Sequence, residues 1–142
     1  MPSVDAKPNA SKAVDAFARV LDASALLAFL RGEAGADAVE PLIDGSAISA
    51  VNWAETMQVL QWRQVGVGDW LGDLEALGIP VIPFSADHAN TAAGLWGATH
   101  HRGLSLGDRA CLAVALSAGV GAITADSTWR DLEVGVEITV IR

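Results

Sequence analysis

Three carboxylates stand where short apolar segments of the sequence begin or end, and a fourth lies inside a predicted helix. Asp22 closes the apolar stretch in "VLDAS", and Asp126 follows "AIT" in "AITADSTW". Glu55 lies in "VNWAETMQVLQWRQ", and Asp108 stands in "SLGD" just before the apolar run "RACLAVAL". Carboxylates that come close together repel one another and need a compensating cation. Oxygen ligands are those that the hard divalent ions Mg²⁺ and Mn²⁺ prefer.

Each of these carboxylates also has a purely structural interpretation. Asp22 precedes a predicted helix and can cap it. Ser105 and Asp108 have the spacing of a capping box, and an acid in the first turn suits the helix dipole. Asp126 fits a turn in which the side chain bonds its own backbone. Glu55 lies on a partly apolar side of its helix, but it can be a surface glutamate. Taken singly, none of the four identifies a site.

Strands and helices alternate along the chain. The predicted strands cover residues 18–22, 46–50, 79–84, 122–124 and 133–141. The predicted helices cover residues 24–32, 35–44, 51–64, 67–78, 85–103 and 105–119. In the first helix Ser24 is the expected cap and Gly32 the expected stop. In the helix over 51–64, Asn52, Thr56 and Arg63 form a polar stripe.

This order predicts a parallel sheet covered by helices on both faces, a three-layer α/β/α sandwich with a mostly parallel sheet of four to five strands. Ligands of such sheets sit beyond the carboxyl ends of the strands. Two of the four acids end strands, and the other two lie in helices that pack on strands. All four can therefore converge at one edge of the sheet and hold Mg²⁺ or Mn²⁺.

Composition sets the outer limits. The 142 residues, 51% of them hydrophobic, fit one compact domain, and no apolar run is long enough for a membrane helix. Residues 1–18 look like a leader without the apolar centre of a signal peptide, so we expect a cytoplasmic protein. The net charge of −8 excludes a passive nucleic-acid binder, which would be basic. A role on nucleic acid therefore needs local positive charge or a metal ion.

The histidines and the single cysteine do not have the spacing of a zinc site. His88 stands apart, and His100 and His101 are adjacent, so they face different directions on a helix. We expect the three imidazoles at the surface. Cys111 lies among small apolar residues and is expected to be a buried hydrophobe.

The motifs "VLDASALLAFL", "AVNWAE", "LSLGDRACLAVAL" and "ITADSTW", in this order, resemble PIN-domain proteins, and within them the VapC-type toxins of bacterial toxin–antitoxin pairs. The resemblance covers residues 19–142, and "LSLGDRACLAVAL" followed by "TAD" is its most specific part. The leader is longer than is usual in the family, where the first acid often lies within the first ten residues.

The resemblance implies an Mg²⁺- or Mn²⁺-dependent endoribonuclease that hydrolyses RNA phosphodiester bonds. It also implies a cognate antitoxin as partner and a homodimer. Its acidic quartet corresponds to Asp22, Glu55, Asp108 and Asp126 as catalytic residues and metal ligands. Thr124 matches the family's hydroxyl near the last acid, and Ser127 is a candidate assistant. The candidate phosphate contacts, chosen for their place beside the acidic motifs, are Arg102, Arg109 and Arg130.

A non-catalytic, receiver-like metal-binding module is the alternative. That class needs a phosphoacceptor acid at the end of the third strand, where "VIPFS" has none, and a lysine after a later strand. The only lysines are Lys7 and Lys12, in the leader. Among the five tryptophans, Trp53 is expected in the core, whereas Trp62, Trp70 and Trp96 lie in flanking helices where some can line a partner groove.

Overall fold

The computed structural model describes residues 17–63 and 69–142, and it contains one five-stranded sheet. The strands are β1 (Arg19–Leu21), β2 (Ser46–Ser49), β3 (Val81–Ile82), β4 (Gly121–Thr124) and β5 (Ile138–Val140). Their order is β3-β2-β1-β4-β5, and all neighbours pair in parallel. The predicted parallel α/β/α architecture is confirmed, with β1 at the centre.

Seven α-helices flank this sheet in the described part of the chain. They are α1 (Ala23–Arg31), α2 (Ala36–Val39), α3 (Ala50–Trp62), α4 (Trp70–Ala76), α5 (Ala86–Gly94), α6 (Trp96–Thr99) and α7 (Leu106–Ala118). Three short 3₁₀ helices cover Glu40–Leu42, His100–Arg102 and Ser127–Trp129. None of the described helices has the length and apolar character needed to cross a membrane.

Alternate residues of the central strands feed two separate cores. Val20, Ala47 and Ala122 face one side, where Leu112 and Trp129 pack among them. Their neighbours Leu21, Ile48 and Ile123 face the other side and pack against Ala25 and Leu26 of α1. Because successive side chains of a strand point to opposite faces, both faces of the sheet are covered by apolar groups. The sheet edge is thereby left as the place where polar groups can gather.

Three local predictions are corrected by the structure. Asp22, not Ser24, caps α1, since its side chain accepts the bond from the Ala25 N–H. The third strand is only two residues long, because Pro80 and Pro83 flank it and lack the N–H that a ladder needs. The last strand begins at Ile138.

That late start has a visible cause. Val134 and Val136 are buried in the core, and Gly135 between them has a left-handed φ of 74°, so the chain turns before it can pair. The predicted helix stop at Gly32 is confirmed by a left-handed φ of 62°. Phe17, in the predicted leader, is buried in the core, whereas residues 1–16 lie outside the described part of the chain. So do residues 64, 67 and 68 at the ends of two predicted helices.

Candidate active site

The carboxyl ends of the two central strands carry two of the predicted acids. Asp22 directly follows β1, and Asp126 lies two residues after β4. The strands are adjacent, with Leu21 paired to Ile123, so both acids emerge at the same edge. The first turn of α7, with Asp108, and the early part of α3, with Glu55, lie at this edge as well, as the contacts below show.

Asp22 is almost completely buried, with 3% of its surface exposed. Its carboxylate accepts hydrogen bonds from the Ala25 N–H (2.8 Å), the Ser24 hydroxyl (2.7 Å) and the Thr124 hydroxyl (2.6 Å). Its pKa is raised to about 6 overall, because burial and, to a smaller extent, the charge of Asp108 raise it more than these hydrogen bonds lower it. Three bonds leave about one of the four lone-pair sites of this carboxylate for another ligand.

Thr124 and Ser24 connect Asp22 to the loop that carries Asp126. The Thr124 hydroxyl donates to Asp22 and accepts from the Asp126 N–H at 3.0 Å. Ser24 Oγ accepts from the Ala125 N–H at 2.9 Å. These two hydroxyls fix the relative positions of the first and last acids. The catalytic role of Thr124 stays a prediction, and so does that of Ser127, which is exposed at the start of its 3₁₀ helix.

Asp108 takes part in the helix cap that the sequence predicts. Its Oδ2 accepts from the Ser105 N–H (2.8 Å), and the Ser105 hydroxyl accepts from the Asp108 N–H (3.1 Å). Burial raises the pKa of Asp108, the bonds with Ser105 lower it, Asp126 raises it and Arg109 lowers it. Among the described residues, no hydrogen bond reaches Oδ1. The cap therefore engages Oδ2, and a ligand role, which stays a prediction, would use Oδ1.

Glu55 is held against the first turn of α7. Asn52 Nδ2 donates both to Glu55 Oε1 (2.8 Å) and to the Gly107 carbonyl (2.9 Å). Gly107 leaves room for the carboxylate, because a Cβ there would lie 2.5 Å from both Glu55 oxygens. Burial raises the pKa of Glu55, the bond from Asn52 lowers it, and Asp108 raises it. A helix spacing of three residues joins Glu55 to Asn52.

Asp108 is electrostatically coupled to all three other acids. The charge of Asp108 raises the pKa of Asp22 and of Glu55, and the charge of Asp126 raises the pKa of Asp108. Cys111, fully buried one turn further along α7, has a pKa raised by burial and then by Asp22, Asp108 and Glu55. The convergence of four carboxylates in one site stays a prediction, which this mutual influence supports.

The donor set suits a hard divalent cation, because every member is a carboxylate and burial makes the charged forms costly. Within residues 17–63 and 69–142, however, no three histidine, cysteine, aspartate or glutamate side chains are grouped closely enough to hold a metal ion as they stand. The carboxylates are coupled at the site but not gathered into a finished coordination shell. Binding would require side-chain movements.

The predicted phosphate contacts differ in how available they are. Arg109 is partly buried, with Nη1 bound to the Leu104 carbonyl at 2.8 Å. Arg102 is exposed, and its Nη1 donates to the carbonyls of Thr128 (3.2 Å) and Arg130 (2.6 Å) in the loop after Asp126. Arg130 is exposed too, and its Nη2 donates to the Arg142 carbonyl. Arg102 and Arg130 thus flank the acidic loop at the surface.

Sequence reasoning missed two residues of this site. Ser24 was expected to cap a helix, but its hydroxyl donates to Asp22 and accepts from the Ala125 N–H. Asn52 and Thr56 were expected on a polar stripe. Both are buried, and Asn52 is only 1% exposed. The signals that could have found them are the hydroxyl two residues after Asp22 and the amide three residues before Glu55.

The raised pKa of Asp22 predicts a pH-dependent stability without divalent metal. A carboxyl whose pKa rises from 3.8 in the unfolded chain to about 6 in the folded protein favours folding most when protonated. Its contribution of about 3 kcal/mol is present below pH 3.8 and is lost as the pH rises through 6. In chelator, urea unfolding between pH 4 and 7 should therefore show a smaller loss of stability in Asp22→Asn than in the wild type. Glu133→Gln, at an exposed position, should keep the wild-type profile, and identical profiles for Asp22→Asn and wild type would contradict the prediction.

A family model of the PIN domain matches residues 19–134, which is most of the chain. The chain belongs to the PIN domain family. Its PIN domain contains all four predicted acids, Thr124 and the three candidate arginines. The resemblance inferred from the sequence motifs is confirmed at the level of the family.

Solved structures with the same fold include several toxin–antitoxin proteins. One is a toxin–antitoxin complex from Klebsiella pneumoniae, with 20% identity, a TM-score of 0.67, and 87% of this chain and 98% of that chain covered. DNA-bound VapBC from Salmonella typhimurium has 13% identity, a TM-score of 0.63, and coverage of 89% and 99%. VapBC-5 from Mycobacterium tuberculosis has 24% identity, a TM-score of 0.52, and coverage of 88% and 98%. No curated protein sequence matches the chain. At these identities the structures show a shared PIN-domain fold.

Proposed function

We propose that this PIN-domain protein is the toxin of a toxin–antitoxin pair and acts in the cytoplasm as an Mg²⁺- or Mn²⁺-dependent endoribonuclease. The observation that carries the proposal is the hydrogen-bond network at the carboxyl edge of a parallel sheet, which joins Asp22 to Asp126 through Thr124 and Glu55 to the first turn of α7, with Asp108, through Asn52. Such edges are where α/β folds bind ligands. The PIN-domain neighbours described as toxin–antitoxin complexes support the biological role.

In this proposal Asp22, Asp108 and Asp126 hold the cation, and Glu55 is a further ligand or the group that orients water. The bound ion would lower the pKa of a water molecule and neutralise charge on the phosphate oxygens. Hydrogen bonds from Ser24 and Thr124 hold Asp22, and the bond from Asn52 holds Glu55 against α7. Arg102 and Arg130 would contact flanking phosphates.

The outer face of α3 is the surface that we assign to the antitoxin. Trp62 is 85% exposed there, and with Ala54, Met57, Gln58 and Gln61 it lines an open cavity. Among the described residues no charged side chain lines this cavity, which suits a protein partner better than a polyanion. We also propose that the protein forms a homodimer, as the resemblance to VapC-type toxins implies.

Expression in a bacterial host tests the biological role. We expect the protein alone to arrest growth and the product of a neighbouring small reading frame to relieve the arrest. The purified protein should cleave a mixed single-stranded RNA pool in Mg²⁺ or Mn²⁺ and lose this activity in chelator. Harmless expression of folded protein, with metal binding but no cleavage, would contradict the proposal and favour a non-catalytic regulatory module.

A further inference from the structure

Trp96 and His100 form a stacked aromatic pair on the surface. Their ring centroids are 3.9 Å apart and the ring planes differ by 3°. Trp96 is 55% exposed, and His100 is exposed as well. The two residues are four positions apart, across the short helix α6 and the following 3₁₀ helix, so one helical turn brings their rings face to face. The inner ring faces cover each other, and the remaining aromatic surface of the pair is in water.

An exposed tryptophan alone proves nothing, because single apolar side chains are common on protein surfaces. The surroundings of the pair distinguish it from Trp62. His101 and Arg102 follow the pair directly, and Arg102 is bound to the loop after Asp126, whereas Trp62 and the Arg63 that follows it lie at the end of α3. An aromatic surface next to a guanidinium is a combination that suits a nucleic acid, which offers base faces and phosphates together.

The pair is firmly connected to the proposed active site. Arg102 donates to the Thr128 and Arg130 carbonyls, and Thr128 in turn donates its N–H and hydroxyl to Asp126 Oδ1. On the other side, the Leu104 N–H bonds the Thr99 carbonyl just before the cap of α7. The segment that carries the aromatic pair is therefore attached to both elements that present Asp126 and Asp108.

The part of the chain that carries this surface is less acidic than the part before it. Residues 17–95 contain three arginines and ten acids, whereas residues 96–142 contain four arginines and five acids, two of which are Asp108 and Asp126 of the site. Outside the site, this last third of the chain therefore carries more basic than acidic residues. A polyanion would approach the otherwise acidic protein here.

We propose that the Trp96–His100 pair is a stacking platform for a base of the single-stranded RNA substrate, with Arg102 contacting an adjacent phosphate. The inference rests on the proposed nuclease function and names the substrate class of that same site. A base must be unstacked from its neighbours to lie on an aromatic ring, so the platform selects single strands over duplexes. Every base has a π-face, so it does not select sequence.

Binding of a fluorescently labelled single-stranded RNA in chelator, where the proposed cleavage cannot proceed, measures the platform directly. We expect Trp96→Ala to weaken binding by about tenfold, the usual effect of losing one stacked base, and Trp96→Phe to retain most of the affinity. Leu71→Ala, at another exposed apolar side chain in α4, is the control and should bind RNA as the wild type does. In Mg²⁺, Trp96→Ala should raise KM while leaving kcat within about twofold, because the ring holds the substrate and does not touch the reacting phosphate.

An RNA affinity of Trp96→Ala equal to that of the wild type would overturn the proposal. Altered self-association or antitoxin binding in the same variant would then make the pair a protein interface. If the wild type binds RNA in a Trp96-dependent manner but cleaves none in Mg²⁺ or Mn²⁺, the platform stands and the proposed nuclease function fails.

Discussion

Asp108→Asn will reduce RNA cleavage by about 100-fold or more and leave the metal-free protein at least as stable as the wild type. The loss is expected because Asp108 is coupled to the other three acids and neutral asparagine is a weaker ligand for a hard cation. Stability is expected to hold because the asparagine oxygen can still accept from the Ser105 N–H. Removal of one charge also relieves repulsion among the remaining carboxylates. Cleavage rates and urea unfolding in chelator measure the two effects.

Asp87→Asn is the matched control for this substitution. Asp87 lies in the first turn of α5, which is also capped by a serine, and the residue is exposed. It should show wild-type cleavage and a change in stability below about 1 kcal/mol. A protein with Asp108→Asn that is less stable yet fully active would show that Asp108 is only a helix cap.

Gly107→Ala will reduce cleavage by about 100-fold without unfolding the protein. The added Cβ would lie 2.5 Å from both Glu55 oxygens, so the flexible end of Glu55 must move away. Displacement of a catalytic group by about 1 Å can cost this much in rate. Alanine is also the better helix residue by about 0.5–1 kcal/mol, which offsets the cost of moving Glu55. Cleavage assays and thermal unfolding should therefore separate activity from stability.

Gly94→Ala controls for the change of residue type. Gly94 ends α5, and a Cβ there meets nothing within 4 Å. We expect this variant to cleave RNA at the wild-type rate. Equal activity of Gly107→Ala and Gly94→Ala would mean that the position of Glu55 against α7 does not matter for the chemistry.

The sequence was sufficient to predict the sheet, because alternating apolar segments and helix signals are local. "VLDAS" and "AITADSTW" place their acids at strand ends whatever else the chain does, and in a parallel sheet those ends meet at one edge. The capping box of Ser105 and Asp108 is likewise a short-range pattern, and the structure contains it. These features needed no knowledge of distant contacts.

Contacts between distant segments could not be predicted from these local patterns. The sequence places Asn52 on a polar stripe of its helix. In the structure α7 packs against it, and the Gly107 carbonyl, 55 residues away, accepts a hydrogen bond from its amide. Ser24 had a helix-start spacing, but its role depends on the Ala125 N–H, 101 residues away. The late start of β5 depends on Val134 and Val136 entering the core, which the alternating pattern alone does not reveal.

Calorimetric titration with Mn²⁺ at neutral pH tests the central claim most directly, namely that the carboxylates around Asp108 form one cation site. The account predicts saturable binding to the wild type, a rise in melting temperature that chelator reverses, and loss of both in Asp108→Asn. Asp87→Asn should bind as the wild type does. Folded wild-type protein that shows neither binding heat nor a change in melting temperature with Mn²⁺ or Mg²⁺ would contradict the account.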